Sequence, residues 1–516
     1  MSRKLLKSTA TVGSMTLLSR ISGLVRDMVF AYIMGSGWIA DAFFVAFRIP
    51  NLFRRIFAEG AFSQAFVPVL SERRETASPV QVRAFVDHTA GWLASVLLAL
   101  TVVGIVFAPA VVSLIAPGFR DNPEQFALTV DALRFTFPYL LCISLVAMSA
   151  GVLNTWGRFA APAITPVLLN LCLILAAFVF VPWFGNAALG LALGVLVAGI
   201  AQLAFQVPFL RRIEMLPTPR LARDQEPVNR VFKLMLPALF GASVTQINML
   251  VNTILASFLV TGSVSWLYYS DRLMEFPLGV FGVALATVIL PSLSKLHANG
   301  SRDAFSRLLD WSLRWACLIG VPASVGLIVL AGPIMTTIFQ YGATTAHDIE
   351  MASNSLMAFA FGLVGFVLVK VLAPGFFARQ DTRTPVRIAV IAVTVNIVLS
   401  LILFTILAHV GLALAISIAA WVNAGLLLRE LRKLGVYSPA AGWGGLLVRI
   451  GAAVLAMGLV LIWGAGELAT WLDASVWSRV ARLGLWILVG AAAYFSVILI
   501  SGIRIHQFVL RRDDFD

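Results

Sequence analysis

The sequence predicts an all-α membrane protein with fourteen transmembrane helices: two parallel six-helix lobes around a central cavity, plus two C-terminal helices. Three observations predict it. Of 516 residues, 60% are hydrophobic and only 12% charged, with a mean hydropathy of +0.92, whereas a soluble globular domain carries about 25% charge. Apolar runs of about 20 residues, the length that crosses a hydrocarbon core, recur along the chain and end at charge, proline or glycine. Of the 38 lysines and arginines, 26 fall in short segments between alternate apolar runs or at the chain ends.

In order, the predicted spans are Thr11–Met34, Ile39–Leu70, Ala84–Ile115, Phe126–Asn154, Ala160–Trp183, Ala187–Leu210, Val231–Val260, Ser265–Leu296, Phe305–Phe339, Ile349–Phe377, Val386–Leu407, Gly411–Leu431, Gly442–Ala465 and Val480–Ile503. The basic segments lie at Arg3 to Lys7, Arg73 to Arg83, Arg158, Arg211 to Lys233, Lys295 to Arg314, Arg379 to Arg387, Arg429 to Lys433 and Arg504 to Arg512. The positive-inside rule makes these segments cytoplasmic, and an even span count then places both termini there. The net charge of +13 thus follows from topology and attraction to anionic membrane lipids, not from a nucleic-acid partner. Arg20 and Arg26 interrupt the first apolar run and no small-residue cleavage site follows, so this run is expected to be a retained helix rather than a signal peptide.

An internal repeat is visible. Val67-Pro68-Val69-Leu70-Ser71 resembles Leu290-Pro291-Ser292-Leu293-Ser294, and Val152-Leu153-Asn154 with Arg158 and Thr165-Pro166 resembles Val371-Leu372-Ala373 with Arg379 and Thr384-Pro385; the offsets are 223 and 219 residues. Six spans separate equivalent positions, and an even number preserves orientation, so the halves are expected to be parallel repeats. The domain reading is 1–215 for an N-terminal lobe, 216–437 for a C-terminal lobe and 438–516 for the last two helices.

Charge inside the spans marks the candidate site, because an ionisable group at bilayer depth costs roughly 3 kcal/mol and so faces a wet cavity or a partner. The stretch from Ser19 to Glu72 carries Arg20, Arg26, Asp27, Asp41, Arg48, Arg54, Arg55 and Glu59. In the second half, Asp271, Arg272 and Glu275 share a helical face, and Lys370 is the one lysine inside an apolar run. Gly23 is expected to break the first helix, and Gly35 and Gly37 to end it. Arginines near helix ends, Arg48 and Arg55 above all, are also explained by pairing with acids or by snorkelling. Basic groups outnumber acids, however, and guanidinium groups bind phosphate in bidentate geometry.

Other chemistry lacks its residues. Cys142, Cys172 and Cys317 sit in apolar runs without metal-ligand spacing, and the five histidines are scattered. No phosphate loop, GxSxG or HExxH motif occurs. The expectation is a transporter and not an enzyme, without metal or cofactor, driven by a coupling ion, the membrane potential or the substrate gradient.

The runs SRISGLVRD, DAFFVAFRIPNLFRRIFAEGAFSQAFVPVLSE, SVSWLYYSDRLMEFPLGVFGVALATVILPSLSK and VKVLAPGFFARQDTRTPVRIA resemble the MurJ (MviN) lipid II flippase family of the multidrug/oligosaccharidyl-lipid/polysaccharide exporter superfamily, over essentially the whole chain. The resemblance implies two six-helix lobes enclosing a cationic cavity, with a groove for the lipid tail on the last two helices. It implies lipid II as substrate, an undecaprenyl pyrophosphate bearing a disaccharide-pentapeptide, flipped by alternating access across the bacterial inner membrane for peptidoglycan synthesis. It places substrate binding on Arg20, Arg26, Arg54, Arg272 and Lys370, and gating or charge pairing on Asp27, Asp41, Glu59 and Glu275. Membrane lipids and cell-wall synthesis proteins are the other expected partners. A flippase for another prenyl-linked oligosaccharide and a cation-coupled drug exporter are the alternatives.

Overall fold

A computed structural model describes residues 3–55, 61–221 and 226–502. With no water at bilayer depth to take up backbone donors and acceptors, an apolar run must bond its own backbone, and helices do so completely. Among the described residues there is accordingly no strand, and nine helices are long and apolar enough to cross a membrane.

The chain separates into two units, one ending at Ser265 and the other beginning at Trp266. The first comprises α1 (Arg3–Met34), α2 (Trp38–Phe53), α3 (Phe62–Thr76), α4 (Pro79–Val106), α5 (Ala108–Ile115), α6 (Pro123–Thr136), α7 (Tyr139–Thr155), α8 (Ala160–Phe184), α9 (Ala187–Arg212) and α10 (Glu226–Ser257). Helix α11 (Ser263–Pro277) leads into the second, with α12 (Val283–Ala298), α13 (Arg302–Val329), α14 (Ala331–Phe339), α15 (Ala346–Phe377), α16 (Arg383–Lys433), α17 (Trp443–Ala465), α18 (Ala469–Leu472) and α19 (Val476–Ile500).

The helix breaks recur at the offset seen in the sequence. Helix α4 ends at Phe107 (φ −92, ψ 17), α5 begins at Ala108 and α6 at Pro123. Advancing each position by 223 residues reaches Leu330 (φ −95, ψ 13), Ala331 and Ala346, where α13 ends and α14 and α15 begin. The α8–α9 junction repeats too: Gly185 has φ 61, and its counterpart Ala408 has φ 49 and ψ −130 inside α16. Both junctions return the chain tightly. A Cβ on Gly190 would lie 2.7 Å from Val181 Cα, and one on Gly411 would lie 2.3 Å from the Leu403 carbonyl oxygen. Arg54 and Arg55 extend α2 as a π-helical turn, and Leu278–Gly282 does the same after α11.

In the first unit the core includes a stack of Phe62, Phe66 and Phe85, with centroids 5.0 and 5.7 Å apart, that locks α3 onto α4. Buried Asp87 of α4 accepts from the Thr218 backbone N–H and hydroxyl, each at 2.8 Å, and so pins the segment that follows α9. In the second unit α17 and α19 share a core of Leu446, Ile450, Leu461 and Tyr494 with Leu318 of α13. Asp310 of α13 anchors the turn before α17, accepting from Tyr437 Oη (2.8 Å), the Ala440 N–H (3.1 Å) and Trp443 Nε1 (2.7 Å), while Arg314 Nε holds its other oxygen at 2.6 Å.

Several expectations need correction. Helix α1 is continuous through Gly23 and stops at Met34, before Gly35 with φ 58. Glycine weakens a helix by only about 1 kcal/mol, and a neighbour fills the space: a Cβ on Gly23 would stand 3.5 Å from Asn170 Nδ2 of α8. The predicted runs 84–115, 126–154 and 305–339 are each two helices, split at Phe107, Phe137-Pro138 and Leu330. The runs 386–407 and 411–431, by contrast, are two helical stretches of α16 as expected, divided at the non-helical Ala408 in the predicted gap.

Candidate functional site

In the first unit, Arg26 and Asp27 of α1 are buried, at 4% and 2% exposure. Arg26 donates to one Asp27 oxygen from Nε (3.0 Å) and Nη2 (2.7 Å), and its Nη1 donates to Asn170 Oδ1 at 3.0 Å. The same asparagine donates to the Ser19 carbonyl (3.1 Å) and the Ser22 hydroxyl (2.9 Å). Phe30 covers the guanidinium, with its ring centroid 5.4 Å away. Arg26, expected in a cavity wall, is thus packed between α1 and α8 with its own carboxylate, a geometry that stabilises only while the charges stay paired. Arg20 lies two turns earlier on α1, half-buried.

Asp41 is also buried, and it caps the start of α11. It accepts from the backbone N–H of Gly262 (2.7 Å) and Ser265 (2.9 Å) and from the Ser265 hydroxyl (2.5 Å). A carboxylate suits the positive end of a helix dipole and its unbonded N–H groups. Further along α2, Arg48 donates to Thr253 Oγ1 of α10 at 2.8 Å.

Arg54 follows at the end of α2, its Nε 3.2 Å from Asn51 Oδ1. It lines a cavity of about 500 Å³ within the first unit, together with Ser63 of α3, Asn154 of α7, Thr165 of α8 and Gln202 and Gln206 of α9. This is a cation beside a mostly apolar hollow that carries a few polar side chains. Arg55 is exposed, and Glu59 lies outside the described residues.

In the second unit, Arg272 and Glu275 of α11 pair at 3.2 Å with side chains 34% and 41% exposed. Tyr268 lies under the guanidinium, 5.3 Å from ring centroid to Cζ. The Lys370 stem of α15 reaches the π-helical turn that follows α11, and a Cβ on Gly282 would lie 3.6 Å from Lys370 Cγ. Lys370 is exposed, and no hydrogen bond or ion pair holds its ammonium among the described residues.

Asn170, Gln202 and Gln206 were missed in the sequence. A lone asparagine in VLLNLCLIL and two glutamines four apart in an apolar helix were the available signal, since intramembrane polar residues face an interior or a partner. Among the described residues no three His, Cys, Asp or Glu side chains gather as a metal site would require.

Residues 30–481 match the family model described as lipid II flippase MurJ. A relative from Vibrio cholerae serotype O1, named probable lipid II flippase MurJ, is 44% identical over 511 residues, covering 98% of this chain and 97% of that protein. A solved structure titled lipid II flippase MurJ, inward closed conformation, superposes with a TM-score of 0.80 at 28% identity, covering 95% of this chain and 98% of that one. An inward-facing multidrug transporter of the MATE family of the MOP superfamily shares the fold, with a TM-score of 0.68 at 16% identity over 81% of this chain and 95% of its own.

Proposed function

This chain belongs to the MurJ family of lipid II flippases, and from that premise we propose that it moves lipid II from the cytoplasmic to the periplasmic leaflet of the bacterial inner membrane by alternating access. Lys370 carries the proposal. An exposed lysine in a 32-residue apolar helix, with no partner among the described residues, calls for an anion, and the diphosphate of lipid II supplies one. Half-exposed Arg272 of the same unit offers a guanidinium of the same kind, and within the first unit Arg54 beside its cavity and half-buried Arg20 offer two more. A diphosphate crossing hydrocarbon bare would lose its hydration, and fixed guanidinium and ammonium donors replace that water.

The prenyl tail has no reason to leave lipid. It stays along the outward apolar side of α17, where Val448 and Trp463 are 73% and 84% exposed, and of α19. The buried Arg26–Asp27 pair holds α1 on α8 through the cycle rather than meeting substrate. No catalytic step or cofactor is involved. The membrane potential, worth about 2.3 kcal/mol per charge per 100 mV, returns the empty cationic carrier toward the negative inside, or a coupling ion does so. Both termini are cytoplasmic, as the basic segments require, and the flipped lipid passes to cell-wall synthesis proteins.

Arg272→Ala in a flippase-depleted strain tests the reading. Membrane insertion at normal level with loss of complementation is expected; normal growth refutes the role of Arg272.

A further inference from the structure

Arg479, in the first turn of α19, is buried at 7% exposure and meets no substrate in the proposed cycle. Unlike Arg26, it has no carboxylate partner among the described residues. Each guanidinium nitrogen holds a backbone carbonyl instead. Nε donates to Trp471 (2.9 Å) and Nη2 to Leu472 (2.7 Å), the last two residues of α18, while Nη1 donates to Gln340 (3.3 Å), which follows α14. The Tyr341 ring centroid lies 5.9 Å from Cζ. Helix ends leave such carbonyls unbonded. A guanidinium buried without a counter-ion loses its hydration, and its rigid fork offsets this by meeting several acceptors at once. One side chain thus fastens α14, α18 and α19 together.

The fastening continues to both sides within the second unit. Phe339, the last residue of α14, packs on Tyr269 of α11 with ring centroids 4.9 Å apart, and both are buried, at 1% and 2% exposure. Tyr269 stands one turn before Arg272. Beside it, the Ser270 hydroxyl donates to the Ala352 carbonyl at 2.7 Å and holds that turn on α15, the helix of Lys370. On the other side, Trp471 Nε1 donates to the Ala465 carbonyl at the end of α17 (2.6 Å), and Tyr494 Oη of α19 donates to the Leu318 carbonyl of α13 (2.8 Å). A continuous run of buried contacts therefore joins the cation-bearing helices α11 and α15 to the outward apolar side of α17 and α19, where Leu488 is 70% exposed.

We infer that Arg479 is a positioning residue for transport. It fixes the spacing between the diphosphate cations on α11 and α15 and the α17–α19 face along which the prenyl tail lies, so the second unit meets both ends of one long prenyl diphosphate at a set distance. The inference rests on the flippase reading and deepens it. Two contacts on one ligand reinforce each other only when they are held at a spacing the ligand spans, and a face already held in place need not be ordered at binding.

The test is equilibrium binding of two probes to the purified full chain in lipid nanodiscs: lipid II with its undecaprenyl tail, and an analogue with the same head whose farnesyl tail is too short to follow the face. Each variant is read against wild type with the same probe, which cancels partition into the bilayer. Arg479→Leu should weaken binding of undecaprenyl lipid II about tenfold and leave the farnesyl analogue unchanged, which also shows that the variant is folded. Phe339→Leu, which loosens the link to Tyr269, should give a smaller loss with the same selectivity. Arg482→Leu frees only Thr470 and the face of Trp471, with no link to α14, and should change neither probe. Equal losses for both probes with Arg479→Leu and Phe339→Leu, or no loss with either variant, overturn the inference while the flippase reading stands. So does an Arg482→Leu loss as large and as selective as that of Arg479→Leu. A wild type that binds neither probe removes the flippase reading and this inference with it.

Discussion

Arg26–Asp27 of α1 and Arg272–Glu275 of α11 are built from the same chemistry and differ in their surroundings. The first pair has side chains 5% and 3% exposed, the second 34% and 41%. In the first, desolvation makes separation costly, Asn170 accepts a further guanidinium N–H and Phe30 packs against the group. In the second, solvent screens the charges and separating them costs little. Burial, rather than residue type, separates a pair that holds helices together from one that adds little to stability.

The largest effect expected from this difference is in the buried pair. Asp27→Asn removes the carboxylate from this buried ion pair and should cost roughly 3–5 kcal/mol of stability, read as a lowered unfolding midpoint in detergent and reduced membrane level. Glu275→Gln should cost less than about 1 kcal/mol while reducing lipid II transport severalfold. If Asp27→Asn is stable yet fails in transport, Arg26 is a substrate ligand and the contrast collapses.

A second pair of positions sharpens the comparison of the two halves. Gly185 and Ala408 occupy equivalent junctions and both have positive φ, 61 and 49, but only glycine adopts such angles freely. Next to the strained alanine, buried His409 packs against Trp266 with ring centroids 4.9 Å apart and planes tilted by 55°, and its Nε2 lies 3.1 Å from the Met351 carbonyl, which holds the turn in place. Ala408→Gly should raise stability by about 1 kcal/mol, and Gly185→Ala should lower it by roughly 1–2 kcal/mol. Thermal midpoints of both variants check this, and an Ala408→Gly change that is neutral or destabilising denies the strain.

The smallest effect is at the surface of the first unit, where Arg230 of α10 donates to Glu72 of α3 at 2.9 Å. That hydrogen bond, and then the charge of Arg230, hold the Glu72 carboxyl below its ordinary value. A depressed folded-state pKa stabilises above the unfolded carboxylate pKa and is lost as pH falls through the folded value. Glu72→Gln should therefore flatten the acid side of the stability profile slightly, most visibly at low salt. An unchanged profile would show that the pair contributes nothing.

The helices were legible because length and hydropathy decide them, and the duplicated pattern showed in two short matches. The breaks at Phe107 and Leu330 were not, although Pro109 and Pro333 just beyond them mark where a new first turn begins. Gly23 misled for the opposite reason: propensity is local, whereas Asn170 comes from another helix. The candidate charges stood out because membranes exclude them. Which were buried in pairs did not, because adjacent Arg26 and Asp27 read the same whether they face a cavity or α8. Gln202, Gln206 and Asn170 carry no charge to flag them and emerged only from the cavity wall and the α1–α8 contact.

The most direct test of the central claim is the accessibility of lipid II at each leaflet in living cells whose sole flippase is this chain, before and after its acute inactivation. The account predicts that outward-accessible lipid II falls promptly while the inner pool rises. An outer pool that holds steady after inactivation would contradict it.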